Sequence, residues 1–257
     1  MQRAPILMAH GAFCGGWVFD RFAAPFRAAG HTVAAPDLPG HAAGAPQDAA
    51  LGLSMADYAG AIAAAAQALP APPVLIGHSL GGLVALLAAM RTRVAGVVLL
   101  APSAPWGVTG STMEEAVSAV SLYALGPYWA QVIEPDYAGF RRFAVDRLPG
   151  PERHALHARM RPESGRALFE TLNWWLDPLM TTLARPEAIG APILAIAGGR
   201  DVVHPLATVR ETARRLGAVF ELAPDMSHWL PGEPGWQAVA ARCLAWIEAI
   251  EQPLAAE

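Results

Sequence analysis

The sequence predicts an α/β fold: a mostly parallel, open sheet with helices on both faces and an inserted helical cap. Short apolar runs alternate with longer helical patterns through most of the 257 residues, which is typical of parallel strands joined by helical crossovers. The alternation stops between residues 103 and 185, where no strand pattern is found and proline repeatedly interrupts the helical patterns. We therefore predict a core, residues 1–102 and 186–257, and an inserted cap, residues 103–185.

Six runs of aliphatic and β-branched residues predict the strands of the sheet. They are Ile6–Ala9, Thr32–Ala35, Val74–Ile76, Val94–Leu100, Ile193–Ala197 and Val219–Leu222. Parallel strands need crossover connections, and these run in most cases through helices. Five helical patterns supply them: Trp17–Ala29, Met55–Leu69, Leu80–Met90, Leu206–Leu216 and Pro234–Glu251.

Composition excludes several classes of function. The chain has a net charge of -4, its basic residues are scattered arginines, and no basic run indicates a nucleic-acid partner. There is no lysine, so the chain's own side chains cannot form a Schiff base. The two cysteines, Cys14 and Cys243, are too few for a disulfide framework or a cysteine-based zinc site. We expect no cofactor, no metal and a small-molecule substrate, with the protein a monomer or a homodimer.

Two features bear on location. The longest apolar stretch, Val74–Met90, is interrupted by His78, Ser79 and three glycines, so it is interpreted as a buried strand and helix and not as a membrane span. The first five residues lead directly into a strand pattern, with no signal-peptide h-region. We therefore expect a cytoplasmic protein that does not contact membranes.

The motif Gly77-His78-Ser79-Leu80-Gly81 marks the candidate nucleophile. It lies between the strand Val74–Ile76 and a small-residue helix, so Ser79 occupies a sharp strand-to-helix turn. Glycines beside the serine are needed because side chains there would collide with the strand or the helix. The turn also directs the N–H of Leu80 toward the space in front of Ser79, where negative charge develops in acyl transfer.

A serine nucleophile needs a base, and the base needs a carboxylate to orient it. His228 lies in the loop after the last strand, and Asp201 follows the strand Ile193–Ala197, so both are predicted at the carboxyl edge of the sheet. Each alone is equally well interpreted as an ordinary loop residue, but the order Ser79, Asp201, His228 is the one expected for such an elbow. Asp225, three residues before His228, is a weaker rival for the acid.

The loop after the first strand, His10-Gly11-Ala12-Phe13-Cys14-Gly15-Gly16-Trp17, brings a second backbone N–H next to Ser79. We predict Ala12 as that donor and His10 as a structural residue that hydrogen-bonds the loop. Phe13 and Cys14 are predicted to line the substrate pocket with three tryptophans, Trp129 and Trp175 of the cap and Trp229. Because pockets are lined mainly by apolar and aromatic side chains, a largely apolar substrate is expected.

Together these motifs resemble the α/β-hydrolase superfamily, and the matches occur in order over nearly the whole chain. Besides the loop, the elbow and the segments holding Asp201 and His228, they include Asp37-Leu38-Pro39-Gly40-His41. The loop at His10 is most similar to small-molecule carboxylesterases and plant methyl esterases, with hydroxynitrile lyases among their relatives. The resemblance implies the nucleophile at Ser79, the acid at Asp201 and the base at His228, with oxyanion donors at Ala12 and Leu80.

We therefore predict a serine hydrolase that cleaves a carboxylic ester of a small, largely apolar substrate. Carbon-carbon bond hydrolysis, lactone opening, amide hydrolysis, acyl transfer and a hydroxynitrile-lyase reaction remain alternatives on the same three residues. A ligand receptor with a vestigial triad is the alternative from another class.

Overall fold

The computed structural model describes residues 3–110 and 122–252. Residues 111–121 of the predicted cap, and the two chain ends, lie outside the described residues. The strands of the described residues are β1 Ile6–Ala9, β2 Val33–Ala34, β3 Val74–His78, β4 Gly96–Leu100, β5 Val132–Ile133, β6 Glu163–Ser164, β7 Ile193–Gly198 and β8 Val219–Ala223. Six of them form one fully parallel sheet in the order β2-β1-β3-β4-β7-β8. The other two, β5 and β6, form a separate antiparallel pair.

Nine α-helical segments accompany the strands in the described part of the chain. They are α1 Ala24–Ala28, α2 Met55–Gln67, α3 Leu80–Ala89, α4 Tyr137–Gly139, α5 Gly150–His157, α6 Gly165–Leu172, α7 Pro186–Ile189, α8 Leu206–Leu216 and α9 Trp236–Glu251. Short 3₁₀ turns cover Gly16–Phe19, Leu122–Leu125, Tyr128–Ala130 and Trp174–Leu176, and a π-helical turn covers Phe140–Ala144. The N-terminus of α2 is fixed by a capping box between Ser54 and Asp57.

The prediction of one helix over Trp17–Ala29 was wrong. The segment forms a 3₁₀ turn, Gly16–Phe19, followed by the separate five-residue helix α1. Pro25 lies in the first turn of α1, where its missing N–H leaves no helical hydrogen bond unmade. In the interior of a helix running from Trp17, the same proline would remove a hydrogen bond and clash with the preceding turn.

Helices cover both faces of the sheet, as predicted. Successive strand side chains point to opposite faces, and the buried residues accordingly form two clusters. On one face Leu7 and Leu75 pack with residues of α2, α3 and α8. On the other face Ile6 and Ile76 pack with residues of α1 and α9. The carboxyl ends of the parallel strands meet at one edge, and each of the predicted catalytic residues follows one of these ends.

Residues 103–185, called the cap segment below, interrupt the core between β4 and β7. Their described part consists of short helices and turns, as the prolines predict, but it also contains the antiparallel pair β5 and β6, so the expectation of no strand there was wrong. Each of these strands has only two residues, which is too short for an alternating pattern to be recognised. Strand β6 brings Glu163 against the loop that follows β1.

No helix in the described ranges is long and apolar enough to span a membrane.

Candidate active site

Ser79 lies at the junction of β3 and α3 in a strained conformation, with φ 55° and ψ -124°. Its N–H donates to Leu100 O at 3.0 Å, and its carbonyl accepts from the N–H of Gly82 at 2.9 Å and of Ser103 at 3.0 Å. These bonds to both neighbouring elements hold a backbone conformation that costs a non-glycine residue about 1–3 kcal/mol. The strained turn is what the sequence motif predicts of a nucleophile at a strand-to-helix junction.

The two outer glycines of the motif permit a close approach of backbone segments. A Cβ atom at Gly77 would lie 2.2 Å from Gly81 O, and one at Gly81 would lie 2.1 Å from Ala9 O. Both distances are far inside van der Waals contact, so the strand, the turn and the helix can meet here only if these positions carry no side chain.

Asp201 and His228 form a buried pair beside the elbow. His228 Nδ1 lies 2.9 Å from Asp201 Oδ2, and Asp201 Oδ1 accepts the N–H groups of Val203 and His204 at 2.8 and 2.9 Å. Burial alone would raise the pKa of Asp201, but the neighbouring His228 and these hydrogen bonds lower it below its usual value. An ionised Asp201 accepts a hydrogen bond from Nδ1–H of His228, which keeps the proton on Nδ1 and leaves Nε2 as the basic nitrogen.

His78, which directly precedes Ser79, supports the loop that carries His228. Its Nε2 lies 2.9 Å from the carbonyl oxygen of His228, and the two imidazole ring centres are 4.9 Å apart. Since the partner is a carbonyl, Nε2 carries the proton and donates. Burial lowers the pKa of His78 to about 3, so the ring is neutral. The loop is also fixed by Glu233, which accepts the N–H of Ser227 at 2.6 Å.

A second histidine, His204, lies against Ser79 and was missed by the sequence analysis. Its Nε2 is 3.4 Å from Ser79 Oγ and 3.0 Å from Ser103 Oγ. Among the described residues, His204 is the hydrogen-bond partner of the Ser79 hydroxyl, and the ring of His228 is not bonded to it. Burial, followed by the nearby His228, lowers the pKa of His204 to about 3. The signal for His204 was its place three residues after Asp201, in the same loop at the carboxyl edge.

The predicted oxyanion donors occupy the two backbone segments that flank Ser79. Leu80 is the first residue of α3, and Ala12 lies in the loop after β1. This loop passes close to the nucleophile, since a Cβ atom at Gly11 would lie 3.1 Å from Ser79 Cβ. His10 fixes the loop: its Nδ1 donates to Gly11 O at 2.9 Å and its Nε2 accepts the N–H of Leu38 at 2.8 Å.

The five predicted pocket residues are spread over different environments. Cys14 and Trp229 are buried, and Trp229 packs edge-on against His78 with ring centres 5.6 Å apart. Phe13 is half-buried in the loop after β1. Trp129 and Trp175 are exposed, and Trp129 lines a groove of about 280 Å³ formed by residues of the cap segment. The assignment of these five residues to the substrate pocket stays a prediction.

Asp225, the rival for the acid, and Cys14, an alternative nucleophile, are not placed to act in these roles. Asp225 is exposed and pairs with Arg200 at 2.8 Å, whereas Asp201 is the carboxylate bonded to His228. Burial raises the pKa of the Cys14 thiol, so Cys14 is not a ready nucleophile. Within the described residues, no group of three or more histidine, cysteine or acidic side chains could hold a metal ion.

The model of the "Alpha/beta hydrolase family" matches residues 6–242 of this chain. The chain belongs to this family. The matched range includes the strand-to-helix turn at Ser79, both of its predicted partners, Asp201 and His228, and the whole cap segment. The resemblance inferred from the sequence motifs is thereby confirmed, and so is the fold class.

Known relatives include esterases. The chain is 32% identical over 229 residues to a pimeloyl-[acyl-carrier protein] methyl ester esterase of Xanthomonas campestris pv. campestris (strain B100), a match that covers 82% of this chain and 81% of the relative. Among solved structures, it is similar to the methylesterase MES16 from Arabidopsis, with a TM-score of 0.75, 18% identity and coverage of 96% and 99% of the two chains. Tomato methylketone synthase I has a TM-score of 0.73, 18% identity and coverage of 98% and 100%.

Proposed function

We propose that the protein is a serine hydrolase that cleaves a carboxylic ester through an acyl-enzyme on Ser79. The observation that carries the proposal is the buried Asp201–His228 pair, 2.9 Å apart, beside a serine in a strained strand-to-helix turn. This combination meets the two requirements of the reaction: a serine that faces substrate and an imidazole whose tautomer is fixed by a carboxylate.

His228 is the base in this proposal, although Ser79 Oγ lies nearer to His204 in the resting enzyme. The 3.4 Å contact with His204 is long for a hydrogen bond between oxygen and nitrogen. A general base works best when its pKa lies near the operating pH, and a pKa of about 3 makes His204 a poor acceptor of the serine proton. The proposed reaction requires the Ser79 hydroxyl to reach Nε2 of His228, and catalytic hydrogen bonds of this kind often tighten only when substrate binds.

The reaction then follows from the roles of these groups. Ser79 Oγ attacks the ester carbonyl as His228 Nε2 takes its proton, and the N–H groups of Ala12 and Leu80 stabilise the oxyanion. His228 returns the proton to the alkoxide oxygen of the leaving alcohol, and the acyl group remains on Ser79. Water, deprotonated by His228, then attacks the acyl carbon. The bond to Ser79 Oγ breaks, His228 returns the proton to that oxygen, and the carboxylic acid is released.

A methyl ester of a small, largely apolar carboxylic acid is the proposed substrate class. The names of the Xanthomonas and Arabidopsis relatives both refer to methyl esters. The aromatic residues of the cap segment support an apolar acyl group, because binding pockets are lined mainly by such side chains.

The test is labelling by an active-serine fluorophosphonate, followed by peptide mapping and by hydrolysis of methyl and p-nitrophenyl esters from acetate to octanoate. We expect one label, on Ser79, and turnover that depends on acyl length. The Ser79→Ala variant should keep its folded circular-dichroism spectrum and lose at least about 10⁴-fold in kcat, the scale set by loss of a triad member. Undiminished ester hydrolysis in that variant would overturn the mechanism.

A further inference from the structure

Phe13, the residue after the predicted oxyanion donor Ala12, is held by the cap segment through both of its backbone groups. Its carbonyl accepts the N–H of Arg161 at 2.8 Å, and its N–H donates to Glu163 Oε2 at 3.1 Å. Phe13 has a φ of 64°, in the left-handed region that an aromatic residue rarely occupies. Such a conformation persists only where the surroundings hold it, and here the cap segment supplies both hydrogen bonds.

Glu163 is fully buried, and both of its carboxylate oxygens are occupied. Oε1 accepts the hydroxyl of Tyr58 at 2.5 Å and the N–H of Ser164 at 2.7 Å. Oε2 accepts Phe13 N–H and lies 3.1 Å from His41 Nε2. A buried carboxylate with four donors is fixed in place and would be costly to leave unpaired. It therefore provides a rigid support for the peptide group of Phe13.

His41 supplies the compensating charge for this carboxylate. Its Nδ1 faces Pro39 O at 3.0 Å and its Nε2 faces Glu163, so both ring nitrogens meet oxygen acceptors and both must carry a proton. The contact is therefore a buried ion pair. The pKa directions agree: burial opposes both charges, but each partner's charge keeps the pKa of His41 above and that of Glu163 below its ordinary value.

Ala12 is thus bracketed by two different supports. On its N-terminal side the core residue His10 binds Gly11 O, and on its C-terminal side Glu163 binds Phe13 N–H. The Ala12 N–H and the Gly11 carbonyl belong to one planar peptide group, and only the φ and ψ torsions of Ala12 separate this group from the peptide that carries the Phe13 N–H. The direction of the Ala12 N–H therefore depends on both supports.

We propose that Glu163 is a positioning residue of the oxyanion hole, so that docking of the cap segment and alignment of the Ala12 N–H are one event. The inference rests on the proposed function, because it needs an oxyanion to form at Ser79. An oxyanion donor acts on the transition state and not on the bound ester. Loosening it should therefore lower kcat and leave KM nearly unchanged.

A purely structural role for Glu163 would predict a different result, and Glu170 provides the matched control. Glu170 is a second buried carboxylate of the cap segment; it accepts the N–H of Met55 at 2.8 Å and pairs with Arg166 at 2.9 Å. It ties the cap segment to the start of α2, and its hydrogen bonds, within the described residues, do not reach the loop after β1. Glu163→Gln and Glu170→Gln thus both disturb the cap segment. Only Glu163→Gln also changes the hydrogen bond to Phe13.

The experiment compares these two variants with the parent enzyme in p-nitrophenyl butyrate hydrolysis and in inhibition by an alkyl trifluoromethyl ketone, which forms a tetrahedral oxyanion on the serine. For Glu163→Gln we expect kcat to fall about 10- to 100-fold, somewhat less than for loss of a whole donor. KM should change by less than about threefold, and the ketone's affinity should fall in parallel with kcat/KM. Glu170→Gln should alter kcat and ketone affinity by less than about threefold.

Equal losses in the two variants, or a Glu163→Gln effect on KM alone with ketone affinity retained, would overturn the inference. If Glu163→Gln does not fold, Tyr58→Phe removes one of the four donors to the same carboxylate and should lower kcat and ketone affinity together, about 3- to 10-fold; unchanged values would overturn it equally. Absence of fluorophosphonate labelling in the parent enzyme would overturn the proposed function first, whereas normal labelling with a fully active Glu163→Gln variant would overturn this inference alone.

Discussion

The two sides of Ser79 are held by different parts of the molecule. On one side the ring and carbonyl of His228 are bonded to Asp201 and His78, both of which follow or end strands of the core. On the other side the loop after β1 is bonded at Phe13 to residues 161 and 163 of the cap segment. In the proposed mechanism, proton transfer therefore depends on the core, while oxyanion stabilisation also depends on the insertion.

Of the two sides, the one that carries the proposed base, His228, should show the larger loss of activity on substitution. Replacing His228 by alanine should lower kcat at least about 10³-fold, within the usual range for a general base. His204→Ala, measured in parallel on p-nitrophenyl butyrate, should lower it less than about tenfold, because no carboxylate of the described residues is hydrogen-bonded to the His204 ring. If His204→Ala proves as damaging as His228→Ala, the hydrogen bond seen between His204 and Ser79 would be the catalytic one and the assignment of the base would be wrong.

A smaller effect is expected from the buried ion pair of His41 and Glu163, on the side of Ser79 that faces the loop after β1. This pair should make the stability of the protein depend on pH. The pKa of His41 is raised above its ordinary 6.5, so its stabilisation is complete below that pH and is lost as pH rises through the folded-state pKa. The pKa of Glu163 is lowered from its ordinary 4.5, so its stabilisation is present above that pH and is lost as pH falls through the folded-state pKa. The pair therefore stabilises most between these limits.

Thermal unfolding from pH 5 to 9 checks this expectation. Above pH 6.5 the melting temperature of the parent protein should fall more steeply than that of the His41→Gln variant. For a chain of this size, each kcal/mol lost from the free energy of unfolding lowers the melting temperature by about 2–4 °C. The variant is the necessary control because burial raises the pKa of Glu233 to about 7, which also reduces stability as pH rises. Parallel curves for the two proteins would contradict an ion pair at His41. The other titratable groups around the pair, Tyr58, His10, Asp37 and Cys14, are the same in both proteins.

The smallest effect is expected at the rival acid. Asp225 pairs with Arg200 on the surface, where ion pairs contribute about 0–1 kcal/mol. Asp225→Asn should keep kcat/KM within about twofold of the parent value, because the carboxylate that orients His228 is elsewhere. A loss comparable to that of His228→Ala would show that Asp225, and not Asp201, serves the base.

Much of the fold and the elbow could be predicted from the chain itself. Strand and helix positions follow from local periodicity, and the strained turn at Ser79 is indicated by the glycines two positions before and after it. The pairing of Asp201 with His228 was predictable because the carboxyl ends of parallel strands share one edge. Pro25 indicates the break between Gly16–Phe19 and α1, because proline fits the first turn of a helix and not its interior.

What the sequence determined by itself was therefore the local geometry and the order of motifs that identify the family. Only the tertiary structure brought His204 against Ser79 and Glu163 against Phe13, since the residues of each pair are 125 and 150 positions apart. Nothing in the residues adjacent to Glu163 in the sequence indicates that its side chain is buried. Three of its four hydrogen bonds, with Phe13, His41 and Tyr58, exist because the insertion folds back onto the core. Contacts of that range are decided by packing, not by neighbouring residues.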